Sequence, residues 1–422
     1  MRIAVIAATN VGYANPGMLT VDLAAAGVLK RAVPNSVVSW YTLHPPDQFG
    51  DIHSYVNPSE LPFNWLPLTE HFDEVCDHDV ILLWGDFLQA RHYFVQDAVD
   101  RLVQGSHNSM SAEQALEVLY RCLLFSDATP NVLNKIIVFG SSILFNRQTD
   151  YSLDRYGEYL FRLFRNCAGI WAREPVSAAK IQHVRQDYIS TSLGTDSAFL
   201  LRDEDFAHLS TTSWINDPPF EDRIGLFFGT RTRPPRALVG FLRDVTRQLD
   251  LHVEWLPWFP VHEWLRTVPS NPWLNPVLAA LVLYSRRKID RLMSRGTSYS
   301  AGDLLAAIGR YRFIVTDTYH LCVNAWRVGT PAICFGSPEV APKHHTLNDY
   351  KKRVLYEMYD ATDFYFSTSS LRSSRGRKIA LEKMAQIIAD ESIATAITER
   401  IHAHARSVEQ ALAERLSRLV TT

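Results

Sequence analysis

Several polar side chains come directly after an apolar run in the segment YRFIVTDTYHLCVNAWRVGTPAICFG, residues 311–336. The strand-like runs FIV and AICF flank a helix-like stretch that begins at His320, which predicts a β-α-β unit. Residues that follow the first strand of such a unit lie at the carboxyl edge of a parallel sheet, where ligands bind. A lone histidine is more often structural, but this position favours contact of Thr318 and Tyr319 with a ligand. It also favours His320 as a donor to an anion or as a general acid.

Acidic and cationic side chains follow two other predicted strands. The run VILLWG ends next to Asp86, whose carboxylate could accept a proton from an acceptor hydroxyl or cap the next helix. Arg231 and Arg233 follow the run GLFFGT, just before a predicted helix N-terminus. Guanidinium groups beside a helix N-terminus suit phosphate or carboxylate, so we expect these two arginines to bind an anionic donor.

Two further strand ends carry residues suited to binding an acceptor. Asn15 and Gly17 lie in TNVGYANPGM after the first predicted strand, where small residues let the backbone approach a sugar hydroxyl or an anion. The same residues also form ordinary turns, and both interpretations stay open. Arg173, in GIWAREPVS, either faces a ligand or forms a structural ion pair, and Ser177 is placed to cap the helix that follows.

Short apolar runs alternate with helix-period segments along most of the chain. Strands buried on both faces and separated by helices predict parallel, doubly wound α/β sheets. A polar stretch with two adjacent prolines interrupts the pattern. The sequence therefore predicts an N-terminal Rossmann-like domain over 1–202, a linker over 203–222, a second Rossmann-like domain over 223–375 and a helical segment over 376–422. Two such domains that face each other make a cleft between the carboxyl ends of their strands.

The composition is that of an ordinary globular protein. The 422 residues exceed what one hydrophobic core usually holds, and 47% of them are hydrophobic against 21% charged. A formal net charge of −2 gives no general attraction for nucleic acid. The five cysteines are widely spaced and odd in number, which argues against a disulfide framework or a zinc knuckle and favours free, mostly buried thiols.

The N-terminus and two internal stretches bear on location and partners. The apolar run IAVIAA near the start is too short for a signal peptide, so we expect a cytoplasmic protein. Residues 273–295 join an apolar core to a cluster of basic side chains. They either contact the inner face of a membrane peripherally or form a core helix with a solvated basic end. The neighbouring stretch 252–274 holds four tryptophans, which would stack on acceptor sugars where they are exposed.

Three motifs, in this order along the chain, resemble those of the polysaccharide pyruvyl transferase family. They are AREPVS at 172–177, LGTDSAFLL at 193–201 and VTDTYHLCVNAWRVGTPAICF at 315–335. The stretch KKRVLYEMYDATDFYF at 351–366 resembles a lysine-containing segment of that family. Each motif alone is weak, but the ordered set is fairly specific.

The resemblance implies a GT-B-like α/β fold with two Rossmann-like domains, and transfer of a pyruvyl group from phosphoenolpyruvate to a sugar or a lipid-linked saccharide. Phosphoenolpyruvate is then a substrate, and neither a cofactor nor a metal is expected. His320 matches the family histidine, and Asp86 takes the place of a catalytic carboxylate. Arg231 or Arg233 would hold the phosphate, and Lys351 or Lys352 falls in the lysine segment, with Lys352 expected to bind the donor.

Two positions depart from the family motif. The arginine before the family's tyrosine–histidine pair is Thr318 here, and the glycine after the pair is Leu321. A charge-assisted hydrogen bond of the kind that is lost contributes about 1.5–3 kcal/mol. Either Arg231, Arg233 or Lys343 replaces it, or the donor is not phosphoenolpyruvate.

Two other functions stay open from the sequence. A GT-B glycosyltransferase would bind a nucleotide-sugar in the same cleft, because one fold supports many activities. A non-catalytic family member would instead serve as a partner of another cell-surface enzyme. Binding of phosphoenolpyruvate separates pyruvyl transfer from both alternatives, and binding of nucleotides separates the alternatives from each other. The sequence assigns no oligomeric state.

Overall fold

A computed structural model of the chain describes residues 1–8, 16–43, 60–85, 88–105, 110–185, 191–210, 223–227, 241, 244–245, 247–248, 251–256, 258, 300–336 and 347–421. Two parallel β-sheets with accompanying helices lie within these residues.

The first sheet has seven described strands, all parallel, in the order β3-β2-β1-β4-β5-β6-β7. The strands are β1 (Arg2–Ala7), β2 (Val37–Thr42), β3 (Trp65–Pro67), β4 (Val80–Trp84), β5 (Ile136–Ser141), β6 (Gly169–Ala172) and β7 (Thr191–Leu193). This is the Rossmann order with one more strand, and the order reverses between β1 and β4.

Helices connect most of these strands. The described helices are α1 (Pro16–Ala32), α2 (Leu68–Cys76), α3 (Val99–Gly105), α4 (Ala112–Leu124), α5 (Pro130–Leu133), α6 (Tyr156–Asn166), α7 (Pro175–Arg185) and α8 (Asp203–Phe206). A short helix at Arg91–Tyr93 and a π-helical turn at Phe94–Ala98 lead into α3. A capping box begins α4, because the Ser111 hydroxyl accepts from the Gln114 backbone N–H and the Gln114 side chain accepts in return.

The central strands of this sheet are apolar on both faces. All residues of β4 and of β5 are buried. Trp84, Phe139 and Trp171 occupy paired positions of neighbouring strands, and the Trp84 and Phe139 rings stack with their centroids 4.5 Å apart. Gly85 and Gly140 follow the two stacked rings with φ of 104° and 71°, a conformation that glycine adopts at little cost. Gly85 directly follows the end of β4, whereas Gly140 lies within β5, where the pairing with β6 shifts register between Phe139 and Ser141.

The second sheet has five described strands, all parallel, in the order β12-β11-β10-β8-β9. The strands are β8 (Arg223–Phe227), β9 (His252–Trp255), β10 (Phe313–Thr316), β11 (Ala332–Gly336) and β12 (Tyr365–Ser367). The described helices after β9 are α9 (Ala301–Ile308), α10 (Tyr319–Arg327), α11 (Leu347–Met358), α12 (Ser374–Ala389) and α13 (Glu391–Thr421). In chain order this is the arrangement of flavodoxin-like sheets, and the order reverses between β8 and β10.

The chain divides into two compact units. The first comprises Met1–Ala14, Met18–Asp205 and Ala403–Thr422, and the second comprises Asn15–Gly17 and Phe206–His402. This division differs from the sequence-based one in two places. The first residues of the predicted linker form α8 and a 3₁₀ turn at Ala207–Leu209, and the C-terminal helical segment is shared, because α13 contributes to both units. Residues 211–222 lie outside the described residues.

Ion pairs explain why the start of the predicted linker is ordered. Arg31 of α1 lies 2.9 Å from Asp205 and 2.7 Å from Glu409 of α13, and Arg202 lies 3.0 Å from Glu409. Burial lowers the pKa of Arg31, but the hydrogen bonds to the two carboxylates outweigh burial and the pKa is raised overall. Asp205, at the start of the predicted linker, therefore forms an ion pair within the first unit.

Most of the tryptophan-rich and basic stretches lie outside the described residues. Trp258 is fully buried, which places one of the four tryptophans in a core. Trp264, Trp273 and the basic segment 273–295 are not among the described residues. No helix that the structure describes combines the length and the apolar character needed to cross a membrane.

Candidate functional site

Residues 317–320 connect β10 to the first turn of α10, and we call them the β10–α10 junction. Asp317, Thr318 and His320 are half-buried, and Tyr319 is buried. The Thr318 backbone N–H donates to the Thr316 hydroxyl over 3.0 Å, and the Thr318 side chain makes no capping hydrogen bond to α10. Thr318 therefore does not cap the N-terminus of α10, the positive end of its dipole, at the carboxyl edge of the sheet.

A buried lysine on α11 holds this junction. The Lys352 ammonium donates to the Asp317 carbonyl over 2.8 Å and to the Phe335 carbonyl over 3.2 Å, and it forms an ion pair with Asp349. Lys352 is only 3% exposed. Burial lowers the pKa of Lys352, but the nearby groups of Cys334, Asp349 and Asp317 raise it more, so the pKa lies above its ordinary value. Lys352 is charged, and its three N–H donors all have acceptors.

The preceding lysine contacts the same junction through an aromatic ring. The Lys351 ammonium lies 4.5 Å from the centroid of the Tyr319 ring, in cation–π geometry. The Tyr319 ring meets the His320 ring edge to face, with centroids 5.4 Å apart. Lys352 thus holds the backbone of the junction, and Lys351 contacts the ring beside the histidine.

In the first unit, a side chain at the junction between β6 and α7 caps the helix that follows. Glu174 precedes the first residue of α7, and its carboxylate accepts a 2.8 Å hydrogen bond from the Ser177 backbone N–H. The same carboxylate accepts from the hydroxyls of Ser177 and Ser142. Glu174 is therefore the cap of α7, and the cap expected from the sequence, Ser177, lies inside the helix. A carboxylate at this end of a helix also complements the helix dipole.

Hydrogen bonds from Lys180 and from the backbone of Arg173 hold the chain at and after the end of β5. The Lys180 ammonium on α7 donates to the carbonyls of Leu144 and Asn146 over 2.6 and 2.8 Å, and burial lowers the pKa of this lysine. Arg173 is 3% exposed, and its backbone N–H donates to the Ser141 carbonyl over 3.0 Å. The role of Arg173 in acceptor binding stays a prediction.

Three polar residues at this edge, Gln89, Ser141 and Ser197, were not expected from the sequence. The Ser141 hydroxyl donates to Gln89 Oε1 over 2.8 Å, and both residues are fully buried. The Nε2 group of Gln89 has no hydrogen-bond acceptor among the described residues. A Cβ at Gly140 would lie 2.6 Å from the Ser197 hydroxyl, so the chain passes close to Ser197 here. The available signal was position, because Gln89 follows a strand by five residues and Ser197 lies in the motif GTDSAF.

The structure brings four of the predicted site residues together. Thr318, Tyr319, His320 and Lys352 all belong to the β10–α10 junction or contact it. Gly17 is buried in the first turn of α1. Five predicted residues lie outside the described residues: Asn15, Asp86, Arg231, Arg233 and Lys343. Their roles remain predictions.

The described residues contain no group of three or more His, Cys, Asp or Glu side chains that could hold a metal ion. The five cysteines are free thiols, and all except Cys76 are buried, as the sequence predicts. The expectation that the reaction needs no metal stays a prediction.

Solved structures with a similar fold are nucleotide-sugar enzymes. UDP-GlcNAc 2-epimerase from Neisseria meningitidis, bound to UDP-GlcNAc, matches with a TM-score of 0.54 and 9% identity, over 99% of this chain and 100% of that one. S. aureus MnaA with UDP matches with a TM-score of 0.49 and 10% identity, over 100% of this chain and 98% of that one. At such identities the likeness concerns the fold alone. The predicted GT-B class, an α/β fold with two Rossmann-like units, is confirmed.

The family model for polysaccharide pyruvyl transferases matches residues 23–338. This range covers well over half of the sequence and includes both the β6–α7 and the β10–α10 junctions. The chain therefore belongs to the polysaccharide pyruvyl transferase family, a family of transferases, and the resemblance carried by its motifs is confirmed. Among curated proteins, none matches this chain.

Proposed function

We propose that this protein transfers a pyruvyl group from phosphoenolpyruvate to hydroxyls of a sugar, in the biosynthesis of a surface polysaccharide or exopolysaccharide. The family match over residues 23–338 carries the proposal. The β10–α10 junction supports it, because an anionic donor suits a helix N-terminus that the Thr318 side chain does not cap. The acceptor would be a sugar or a lipid-linked saccharide in the cytoplasm. Peripheral contact of segment 273–295 with the inner membrane face is part of the proposal.

The proposed reaction needs an acid, a base and cationic groups. Protonation of C3 of phosphoenolpyruvate makes C2 electrophilic, a sugar hydroxyl oxygen attacks C2 as it loses its proton, and the C2–O bond to phosphate breaks. A second hydroxyl of the sugar can then close a ketal. In this proposal His320 donates the proton to C3, Asp86 accepts the hydroxyl proton, and Arg231 and Arg233 bind the phosphate. No metal and no cofactor take part.

The contacts of Lys352 bear on which cation replaces the family arginine at position 318. The N–H donors of Lys352 are all occupied by protein oxygens, so its ammonium has none left for the donor. The replacement in our proposal therefore falls to Arg231, Arg233 or Lys343. Loss of any one of them should weaken binding of phosphoenolpyruvate.

The proposal is tested by calorimetric titration of the purified protein with phosphoenolpyruvate. His320→Ala is the test variant and His402→Ala is its matched control. Both histidines are half-buried and contact the same helix, but His402 donates through Nε2 to the Arg327 carbonyl at the far end of α10, over 2.8 Å. A general loss of stability would affect both variants, whereas loss of a donor contact affects only His320→Ala.

Wild-type binding that weakens in His320→Ala but not in His402→Ala is the expected result. A parallel titration with nucleotide-sugars tests the glycosyltransferase alternative. Heat from a nucleotide-sugar together with no heat from phosphoenolpyruvate would overturn the proposal in favour of that alternative. Silence toward both ligand classes would point to a non-catalytic family member.

A further inference from the structure

We infer that Lys352 is a positioning residue, which sets the place of His320 by joining the carboxyl ends of β10 and β11, and that it does not contact the donor. The inference rests on the proposed function for the role of His320. The joint itself depends only on the contacts of Lys352 and can be measured without any substrate.

The first step in the argument is the pair of carbonyls that Lys352 joins. Asp317 directly follows β10, and Phe335 lies in β11, the strand that pairs with β10. One ammonium donates to both carbonyls, over 2.8 and 3.2 Å. These carbonyls belong to the backbone, so a shift of the ammonium moves the end of the sheet rather than a single side chain.

The second step leads from the joint to the histidine. Thr318 separates Asp317 from the first turn of α10, and its N–H is held by the Thr316 hydroxyl. On the helix side, the Asn324 side chain donates to the His320 carbonyl over 2.9 Å. These hydrogen bonds hold the backbone on both sides of the junction. The orientation of the Asp317 peptide therefore sets the position at which α10 begins. Release of that carbonyl should displace His320.

The third step excludes a direct role for Lys352 in donor binding. Lys352 is 3% exposed and Asp349, its ion-pair partner, is 8% exposed. A phosphate could reach this ammonium only if it displaced a carboxylate or a backbone carbonyl. Lys351, the neighbour on α11, lies instead over the Tyr319 ring, so the two lysines make different contacts with one junction.

The test compares Lys352→Met with Met384→Ala in the full chain. Met384 lies on α12 in the same unit and is fully buried, so its truncation destabilises the unit without touching the junction. Since Lys352→Met removes the ammonium that pairs with the buried Asp349 carboxylate, the double variant with Asp349→Asn provides a second form that is easier to fold. Backbone amide hydrogen exchange is followed at residues 317–323, together with the affinity for phosphoenolpyruvate and the release of phosphate from it in the presence of a panel of sugar acceptors.

We expect exchange at residues 317–323 to rise about tenfold in the Lys352 variants relative to Met384→Ala, because a local opening is added to the global one. Turnover should fall about tenfold more than affinity for phosphoenolpyruvate. A rise in exchange that is equal in the Lys352 and Met384 variants would overturn the inference, and so would a loss of affinity with unchanged exchange. If wild-type protein binds no phosphoenolpyruvate, the proposed function fails, while the exchange data still decide whether Lys352 holds the junction.

Discussion

In the first unit the helix that follows β6 begins with a carboxylate, whereas in the second unit the helix that follows β10 begins with Thr318, which provides no cap. The Glu174 carboxylate provides a negative charge at the N-terminus of α7, and two serine hydroxyls donate hydrogen bonds to it. At the β10–α10 junction the holding groups are cations from another helix, Lys351 and Lys352. The first junction is complete by itself, and the second is electrostatically suited to an added anion.

This difference shows why position at a strand end does not by itself identify a binding residue. Arg173, Glu174 and the junction at 317–320 all follow a strand directly, and the sequence alone places them on equal terms. The hydrogen bonds separate them, because Glu174 is occupied in capping a helix. Of these two junctions, the one whose helix Glu174 caps is structural, and the one whose helix Thr318 does not cap is the candidate ligand site.

The largest expected effect is that of His320→Ala on turnover. Removal of a general acid usually lowers the rate about 10²- to 10⁴-fold, and we expect a loss in this range for phosphate release from phosphoenolpyruvate in the presence of sugar acceptors. His402→Ala, at the other end of α10, should keep most of the wild-type rate. Equal losses in both variants would mean that the junction contributes stability rather than chemistry.

Lys352→Met should have the largest effect on stability. It removes the ammonium that pairs with the buried Asp349 carboxylate, and breaking such a pair costs about 3–5 kcal/mol in the free energy of unfolding. Urea unfolding that follows the second unit measures the loss. Arg353→Met is the control on the next residue, because the Arg353–Glu357 pair is exposed and should contribute no more than about 1 kcal/mol. A similar small loss for both would contradict the buried contacts of Lys352.

Gly336→Ala tests how tightly the end of β11 is packed. A Cβ at this position would lie 2.0 Å from the Tyr365 hydroxyl oxygen, so we expect a loss of about 1–3 kcal/mol in unfolding free energy. The same substitution made together with Tyr365→Phe should cost less, because the clashing oxygen is gone. Tyr365→Phe alone should be nearly neutral, since the hydroxyl has no hydrogen-bond partner among the described residues. Equal costs for Gly336→Ala in both backgrounds would contradict this contact.

Glu174→Ala should have the smallest effect on function. Loss of the cap should lower the unfolding free energy by about 0.5–2 kcal/mol and leave the affinity for phosphoenolpyruvate within about twofold of wild type. Chemical unfolding and calorimetry measure the two quantities. A fall in affinity as large as that of His320→Ala would break the distinction between the two junctions.

The sequence predicts the fold better than the contacts that hold it. The alternation of short apolar runs with helix-period segments predicts two sets of parallel strands, and the structure has two parallel sheets. The edge strands β3 and β12 were missed, because three residues are too few to show a period. The start of the predicted linker is polar because Asp205 forms an ion pair with Arg31. These residues therefore belong to the first unit and not to a connecting segment.

For the candidate site, too, the positions of residues are easier to predict from the sequence than their contacts. The sequence predicts that Thr318, Tyr319 and His320 follow a strand, and in the structure they follow β10, while their roles stay predictions. The contacts of Lys352 could not be predicted, because two of its acceptors are backbone carbonyls that leave no mark on the residue types. The only signal was Asp349, three residues earlier on the same helix face.

A crystal structure of the protein grown with phosphoenolpyruvate tests the central claim most directly, since that claim is a place for the donor. The account predicts the ligand at the N-terminus of α10, with its phosphate or carboxylate within hydrogen-bond distance of His320 and of backbone N–H groups in the first turn. The Lys352 ammonium should keep its contacts with the Asp317 and Phe335 carbonyls. Phosphoenolpyruvate bound elsewhere, with this junction unoccupied at saturating ligand, would contradict the account.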